Sequence, residues 1–174
     1  MVNGDKMSKS LKRVKSALRA AGYADTVVET GTARTAADAA EALGCEIDQI
    51  AKSIIFAGLK SQKAILFITA GGNSVESKIA AKLAKEPLGK ADATFIRAQT
   101  GFAIGGVSPV GHLNPVTAFM DPRLLEFKQI WAAAGTPNHV FSITPDRLHV
   151  LTSATTQIFT TSKKCKKDLH TLLN

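Results

Sequence analysis

A chain of 174 residues with 45% apolar and 21% charged residues has the length and composition of one soluble domain with a sizeable core. No unbroken apolar run exceeds five residues, so no membrane span is expected; the basic N-terminus lacks the apolar segment of a signal peptide, and a cytoplasmic protein is expected. The net charge of +8 sits at the two ends: six basic and one acidic residue in 1–20, four basic and one acidic in 161–174, twelve of each between.

Residues 1–7 read as disordered or derived from an expression vector. Residues 8–21 read as a helix with Leu11, Val14, Leu18 and Ala21 on one face, Lys9, Lys12, Lys15 and Arg19 on the other, and Gly22 as its stop. Thr26 to Thr30 reads as a strand. Thr35 and Asp38 form a capping-box start to an alanine-rich helix that Gly44 ends. After a short turn at Ile47 to Ile50, Lys52 to Ala57 and Lys63 to Thr69 read as a hairpin around Gly58 to Gln62. Gly71-Gly72 makes a turn, either structural or an anion site, before a helix with Ser74 as its cap.

Ala91 to Gln99 reads as a further helix. Beyond a glycine-rich loop come a strand at Val116 to Met120 and a helical turn at Asp121 to Phe127. Strands at Ile130 to Ala134 and Val140 to Ile143 follow, then a helix opened by Pro145 and a last strand at Gln157 to Thr160. Hairpins mixed with crossovers predict an α/β (α+β-like) single domain: a mixed, mainly antiparallel, partly barrel-like sheet surrounded by helices. The domain is expected over 8–160, with 161–174 a basic tail.

Chemistry concentrates in few places. Cys45 and Cys165 cannot form a disulfide framework, and His112, His139, His149 and His170 lack ligand spacing, so neither metal nor cofactor is expected. Cys165 lies among four lysines, which favours its thiolate, although a free thiol in a tail is the simpler reading. Lys52 opens an apolar strand. It is either a cation snorkelling to solvent or one fixed against a phosphate or developing carboxylate.

The loop Gly105-Gly106-Val107-Ser108-Pro109-Val110-Gly111-His112 lets main-chain N–H groups approach a ligand, and it points to a small-molecule or ester site built from backbone. A nucleophilic Ser108 fits poorly. The G-x-S-x-G elbow is incomplete, and Pro109 has no N–H for an oxyanion. The basic ends on a neutral body suit a polyanion partner, or they serve solubility.

The order of these pieces carries a resemblance. Ala42-Leu43-Gly44 precedes Gln49-Ile50-Ala51-Lys52-Ser53-Ile54-Ile55-Phe56. Thr100-Gly101, the Gly105 to His112 loop and Ala134-Gly135-Thr136-Pro137-Asn138 follow. Over about residues 8–155 the chain resembles the YbaK-type family, the editing domain of bacterial prolyl-tRNA synthetases and its free-standing relatives.

That resemblance implies hydrolysis in trans of a small, wrong amino acid from a tRNA, without metal or covalent intermediate. The partners implied are aminoacyl-tRNA and a prolyl-tRNA synthetase. Lys52, Gly105 and Gly106 are the expected catalytic positions, and Ser53, Gly101, Ser108, Pro109, His112 and Asn138 the expected substrate contacts. Relatives that remove cysteine carry an acid after the second glycine turn; Asn138-His139-Val140-Phe141 has none, so alanine, serine, threonine or a small non-protein amino acid fits as well. A non-catalytic binding module of the same fold and a serine esterase are the alternatives.

Overall fold

The computed structural model describes residues 7–162. The N-terminal stretch expected to be disordered or vector-derived, the basic tail with Cys165, and His170 lie outside the described residues, apart from Met7, Thr161 and Ser162 at the margins. Helix α1 (Lys9–Ala20) starts where the Ser8 hydroxyl accepts from the Leu11 N–H, and it buries Leu11, Val14 and Leu18 as its spacing predicts. Ala21, expected on the same face, is exposed because the helix ends at Ala20. Strand β1 (Val27–Glu29) leads to α2 (Ala36–Leu43), which opens on the Thr35/Asp38 capping box and closes on left-handed Gly44.

A 3-10 turn (Ile47–Gln49) feeds β2 (Ile50–Gly58), which forms an antiparallel hairpin with β3 (Ala64–Ala70), Lys52 opposite Thr69 and Ala57 opposite Ala64. Next come β4 (Asn73–Val75), α3 (Ser77–Ala84), β5 (Leu88–Lys90) and α4 (Ala93–Thr100). After the glycine loop follow β6 (Thr117–Met120), a 3-10 turn (Pro122–Glu126), β7 (Ile130–Thr136), β8 (His139–Ile143), α5 (Pro145–Thr152), β9 (Thr155–Thr156) and β10 (Thr160–Ser162).

Two local expectations, the Ser74 cap and the undivided last strand, are corrected, and the two readings of the Gly71-Gly72 turn are decided. Ser74 caps no helix: it lies in β4, paired with Thr161, and α3 starts after Glu76. The Gly71-Gly72 turn is structural, joining β3 to β4, with the Gly72 N–H donated to the Asp48 carboxylate at 2.8 Å. The last expected strand divides: Gln157 donates its N–H to Met120, while β9 and β10 flank it on different partners.

The principal sheet runs β1-β8-β7-β2-β3-β6-β9, with β5 added to β2. The β1/β8, β8/β7, β2/β3 and β2/β5 pairs are antiparallel, while β7/β2, β3/β6 and β6/β9 are parallel. All seven residues of β3 are buried, as a strand covered on both faces requires. Its alternation divides the core. Leu66, Ile68 and Ala70 join α1, Phe102, Ile130 and Phe141 on one face. Ile65 and Phe67 join Ala80, Phe119 and Phe159 on the other, with the Phe67 ring 5.0 Å from that of Phe159. Among the described residues no helix is long and apolar enough to cross a membrane.

Candidate active site

The site lies where the sheet is incomplete. On the side of β2 away from β3, pairing with β7 ends at Ala51 and pairing with β5 begins at Phe56. A cavity of about 440 Å³ occupies this edge, a volume suited to one small ligand. Its walls come from the loop before α2 (Thr30, Arg34), α2 (Ala36, Ala39), β2 (Lys52, Ser53), β7 and β8 (Ala132, Ala133, His139), and the glycine loop (Gly105, Val107). The wall is largely aliphatic. Two cations, Arg34 and Lys52, border it, and no Asp or Glu does among the described residues.

Lys52 is half-buried and donates from Nζ to the Asn73 carbonyl at 2.7 Å. Asn73 is held in turn: its Nδ2 donates to Asp121 Oδ2 at 2.9 Å. Asp121 is 2% exposed and also accepts the Ala70 and Arg123 N–H groups, so its desolvated carboxylate is well compensated. Arg123 continues to Asp48 at 3.0 Å. This polar chain joins the Lys52 ammonium, through one carbonyl, to the turns after β3 and β6.

The glycine loop faces two ways. Gly105 is exposed at φ +93°, and its N–H has no acceptor among the described residues. Gly106 does not border the cavity and donates its N–H to the Ala103 carbonyl at 3.1 Å. Its lack of a side chain serves packing, because a Cβ there would sit 2.8 Å from the Thr136 main chain. Of the two glycines, Gly105 is thus the one whose N–H is not already committed within the loop.

Ser108, fully buried, accepts the Val110 N–H at its hydroxyl. Pro109 and His112 border a separate depression beside α1 and Leu151. His112 Nε2 donates to the Ser108 carbonyl at 2.7 Å, away from the Ser108 hydroxyl. Burial, reinforced by the Arg13 charge, holds its pKa below the ordinary histidine value despite that hydrogen bond. The nucleophilic pair that a serine esterase needs is thus not assembled.

Arg13 ties down both ends of this loop. From α1 it donates to the carbonyls of Gly111 (2.7 Å) and Gly101 (2.8 Å), and its guanidinium lies 4.7 Å from the Phe102 ring centre. Gly101 is thereby a structural anchor outside the cavity. Asn138 sits in the β7–β8 turn, where its carbonyl accepts from Thr30 at 2.8 Å, while its neighbours Pro137 and His139 border the cavity. Of the nine residues expected at the site, the fold brings Lys52, Ser53 and Gly105 to one cavity.

Sequence reasoning missed Arg34, Trp131, Thr136 and His139, all on the cavity wall. His139 Nδ1 lies 2.6 Å from Thr136 Oγ1 across the turn. Trp131, Thr136 and His139 were signalled only by closeness to the Gly135 turn, and Arg34 by nothing local. Cys45 packs against Ala39 and Ile50, and burial raises its thiol pKa, which disfavours a nucleophilic role. Among the described residues, no three His, Cys, Asp or Glu side chains are grouped to hold a metal ion.

The site is thus an alanine-walled cavity at a break in the edge of a mixed sheet, bordered by a lysine and a glycine loop. The profile of the aminoacyl-tRNA editing domain family matches residues 30–151, and the chain belongs to that family. The uncharacterised protein YwhH of Bacillus subtilis (strain 168) is 31% identical over 123 residues, 71% of this chain and 77% of its own. A crystal structure described as a candidate trans-editing enzyme for prolyl-tRNA synthetase is 43% identical, with a TM-score of 0.81 over 87% of this chain and 96% of its own. A structure from work on grafting linear epitopes onto scaffold proteins is 42% identical, also with a TM-score of 0.81, covering 87% of this chain and 97% of its own.

Proposed function

We propose that this protein hydrolyses, in trans, the ester joining a small amino acid to the terminal adenosine of a mischarged tRNA. The observation that carries this reading is that Lys52 and Gly105, from distant parts of the chain, border one small aliphatic cavity. An aminoacyl ester is already activated, so a positioned water and a stabilised oxyanion suffice. The Lys52 ammonium holds the terminal phosphate or ribose. The Gly105 N–H donates to the oxyanion, and the free ribose hydroxyl assists proton transfer. Water adds to the ester carbonyl, and the ribose oxygen leaves with a proton.

Specificity follows from the wall. Ala36, Ala39, Ala132 and Ala133 leave room for a small side chain and exclude larger ones by volume, a filter that affinity alone supplies poorly for apolar groups. Alanine, serine, threonine and small non-protein amino acids are the substrate class. The structural relative described for prolyl-tRNA synthetase favours tRNA for proline, with that synthetase as a partner.

The test is a panel of mischarged tRNAs incubated with wild-type protein and with Lys52→Ala. Release of a small amino acid from proline tRNA is expected. The variant should fold normally and lose about 100-fold or more in kcat/KM, the scale of removing one electrostatic contact to a transition state. Lys52→Arg should rescue poorly, because a planar fork does not replace a point charge. Binding without release from any member would leave a tRNA-binding module instead.

A further inference from the structure

The break in the β2 edge leaves one residue with three polar groups that no strand satisfies. Gly58 donates its N–H to Lys63, so the antiparallel ladder points the main-chain groups of residues 52, 54 and 56 toward β3 and those of 51, 53 and 55 away. The partner strand confirms the parity. The Ala64 and Ala70 N–H groups, opposite Ala57 and Ala51, point away from β2 to Gln99 and Asp121.

Ala51 faces β7 and Ala57 faces β5; Ser53, between them, has no strand partner on that side. Neither neighbouring ladder reaches its N–H or C=O, no turn or loop hydrogen bond takes them up, and its Oγ is buried without a partner. Unsatisfied groups of this kind are rare in a folded protein unless a ligand or ordered water completes them. Ser53 borders the cavity.

The edge is too short for a peptide strand. Residues 52–55 span about 13 Å, closed at one end by β7 and at the other by β5. A ligand of about one residue fits. On an open rung, the C=O accepts from a donor while the adjacent N–H donates to an acceptor. An aminoacyl ester carries that pair, an α-ammonium and an ester carbonyl separated by one carbon. No carboxylate borders the cavity, so an ammonium must be held by neutral acceptors.

We propose that the main-chain rung and hydroxyl of Ser53 form the subsite for the α-ammonium group of the substrate. The Ser53 carbonyl and Oγ accept from the ammonium, and its N–H orients the ester carbonyl. The amino acid lies on β2 as a one-residue strand. This rests on the aminoacyl-ester reading above and adds which atoms recognise the amino acid as such. It makes the protein selective for a free α-amino group, in addition to the size filter set by the alanine wall.

The experiment uses wild-type protein, so no variant has to fold. Hydrolysis of alanyl-tRNA is compared with that of lactyl-tRNA, in which a hydroxyl replaces the ammonium, each divided by its own spontaneous rate. The enhancement should be about 10- to 100-fold lower for the lactyl ester, the scale of losing a charged hydrogen bond. In parallel, 3′-deoxy-3′-alanylamino-adenosine is titrated with NMR detection of the Ser53 amide and carbonyl. Both should shift strongly, and the lactyl analogue should shift them less. Equal enhancements, or binding of the alanyl analogue that leaves the Ser53 resonances in place, would overturn the subsite while leaving the hydrolase reading intact. Absence of hydrolysis of every mischarged tRNA would remove the hydrolase reading, and the subsite with it.

Discussion

At the scale of single residues, neighbours in the glycine loop have unlike duties. Gly106→Ala forces a methyl group against the Thr136 main chain, which cannot yield as a side-chain tip can. The expected loss is about 2 kcal/mol or more, seen as a lower melting temperature. Ser108→Ala removes only the hydroxyl that accepts the Val110 N–H, at a cost of about 1 kcal/mol, and turnover should persist. A folded Ser108→Ala protein without activity would restore the nucleophile.

His112 should act as an acid-sensitive core residue. Because burial lowers its folded pKa, the unfolded chain takes up the proton first as pH falls. The stability is complete above the unfolded value of about 6.5 and is lost as pH drops from there through the folded pKa. The wild-type urea midpoint should therefore fall more than that of His112→Gln between about pH 7.5 and about pH 5. Parallel pH profiles would show that other groups govern acid stability.

At the scale of elements, α1 does more than cover the sheet. Leu11, Val14 and Leu18 anchor it in the core, and this rigid seat lets Arg13 hold both shoulders of the glycine loop. Arg13→Ala removes two charge-assisted hydrogen bonds and leaves partly buried carbonyls unpaired, so about 2–4 kcal/mol should be lost. Loosening should be local. Amide exchange should quicken over residues 102–111 and stay slow in β3, which is buried throughout. Uniform acceleration would mean that the loop and sheet open together. Arg13→Lys should restore little, since one ammonium cannot span two carbonyls as the fork does.

At the scale of the whole molecule, the net charge lies at the ends and the cavity in the neutral body. On α1, Lys9, Lys12 and Arg19 are exposed, whereas Lys15 is drawn to Asp25 at 3.0 Å. Neutralising the three exposed cations should weaken tRNA binding and flatten its salt dependence by about 0.7–0.9 units of slope for each phosphate left without its cation. Single-turnover rates at saturating tRNA should change little, because such cations serve ground and transition states alike. An unchanged salt slope would place the tRNA on another surface.

What the sequence determined by itself was local: the buried stripe of α1, the capping box of α2, the β2/β3 hairpin and the start of α5 at Pro145. Each depends on residues within a few positions of one another, where periodicity, caps and turn chemistry act. It also marked Lys52, Ser53 and Gly105, through an apolar strand and a run of glycines, and the family resemblance. Tertiary structure decided the rest. Strands β4, β5, β9 and β10 are two or three residues long, too short for any alternation to show, and they exist because a distant strand pairs with them. The two ends of the loop that parts Gly105 from Pro109 and His112 are held by Arg13, some ninety residues earlier in the chain. The unsatisfied rung at Ser53 depends on where two other strands stop. A strand's sequence carries which face is apolar, but its free edge is a property of its neighbours.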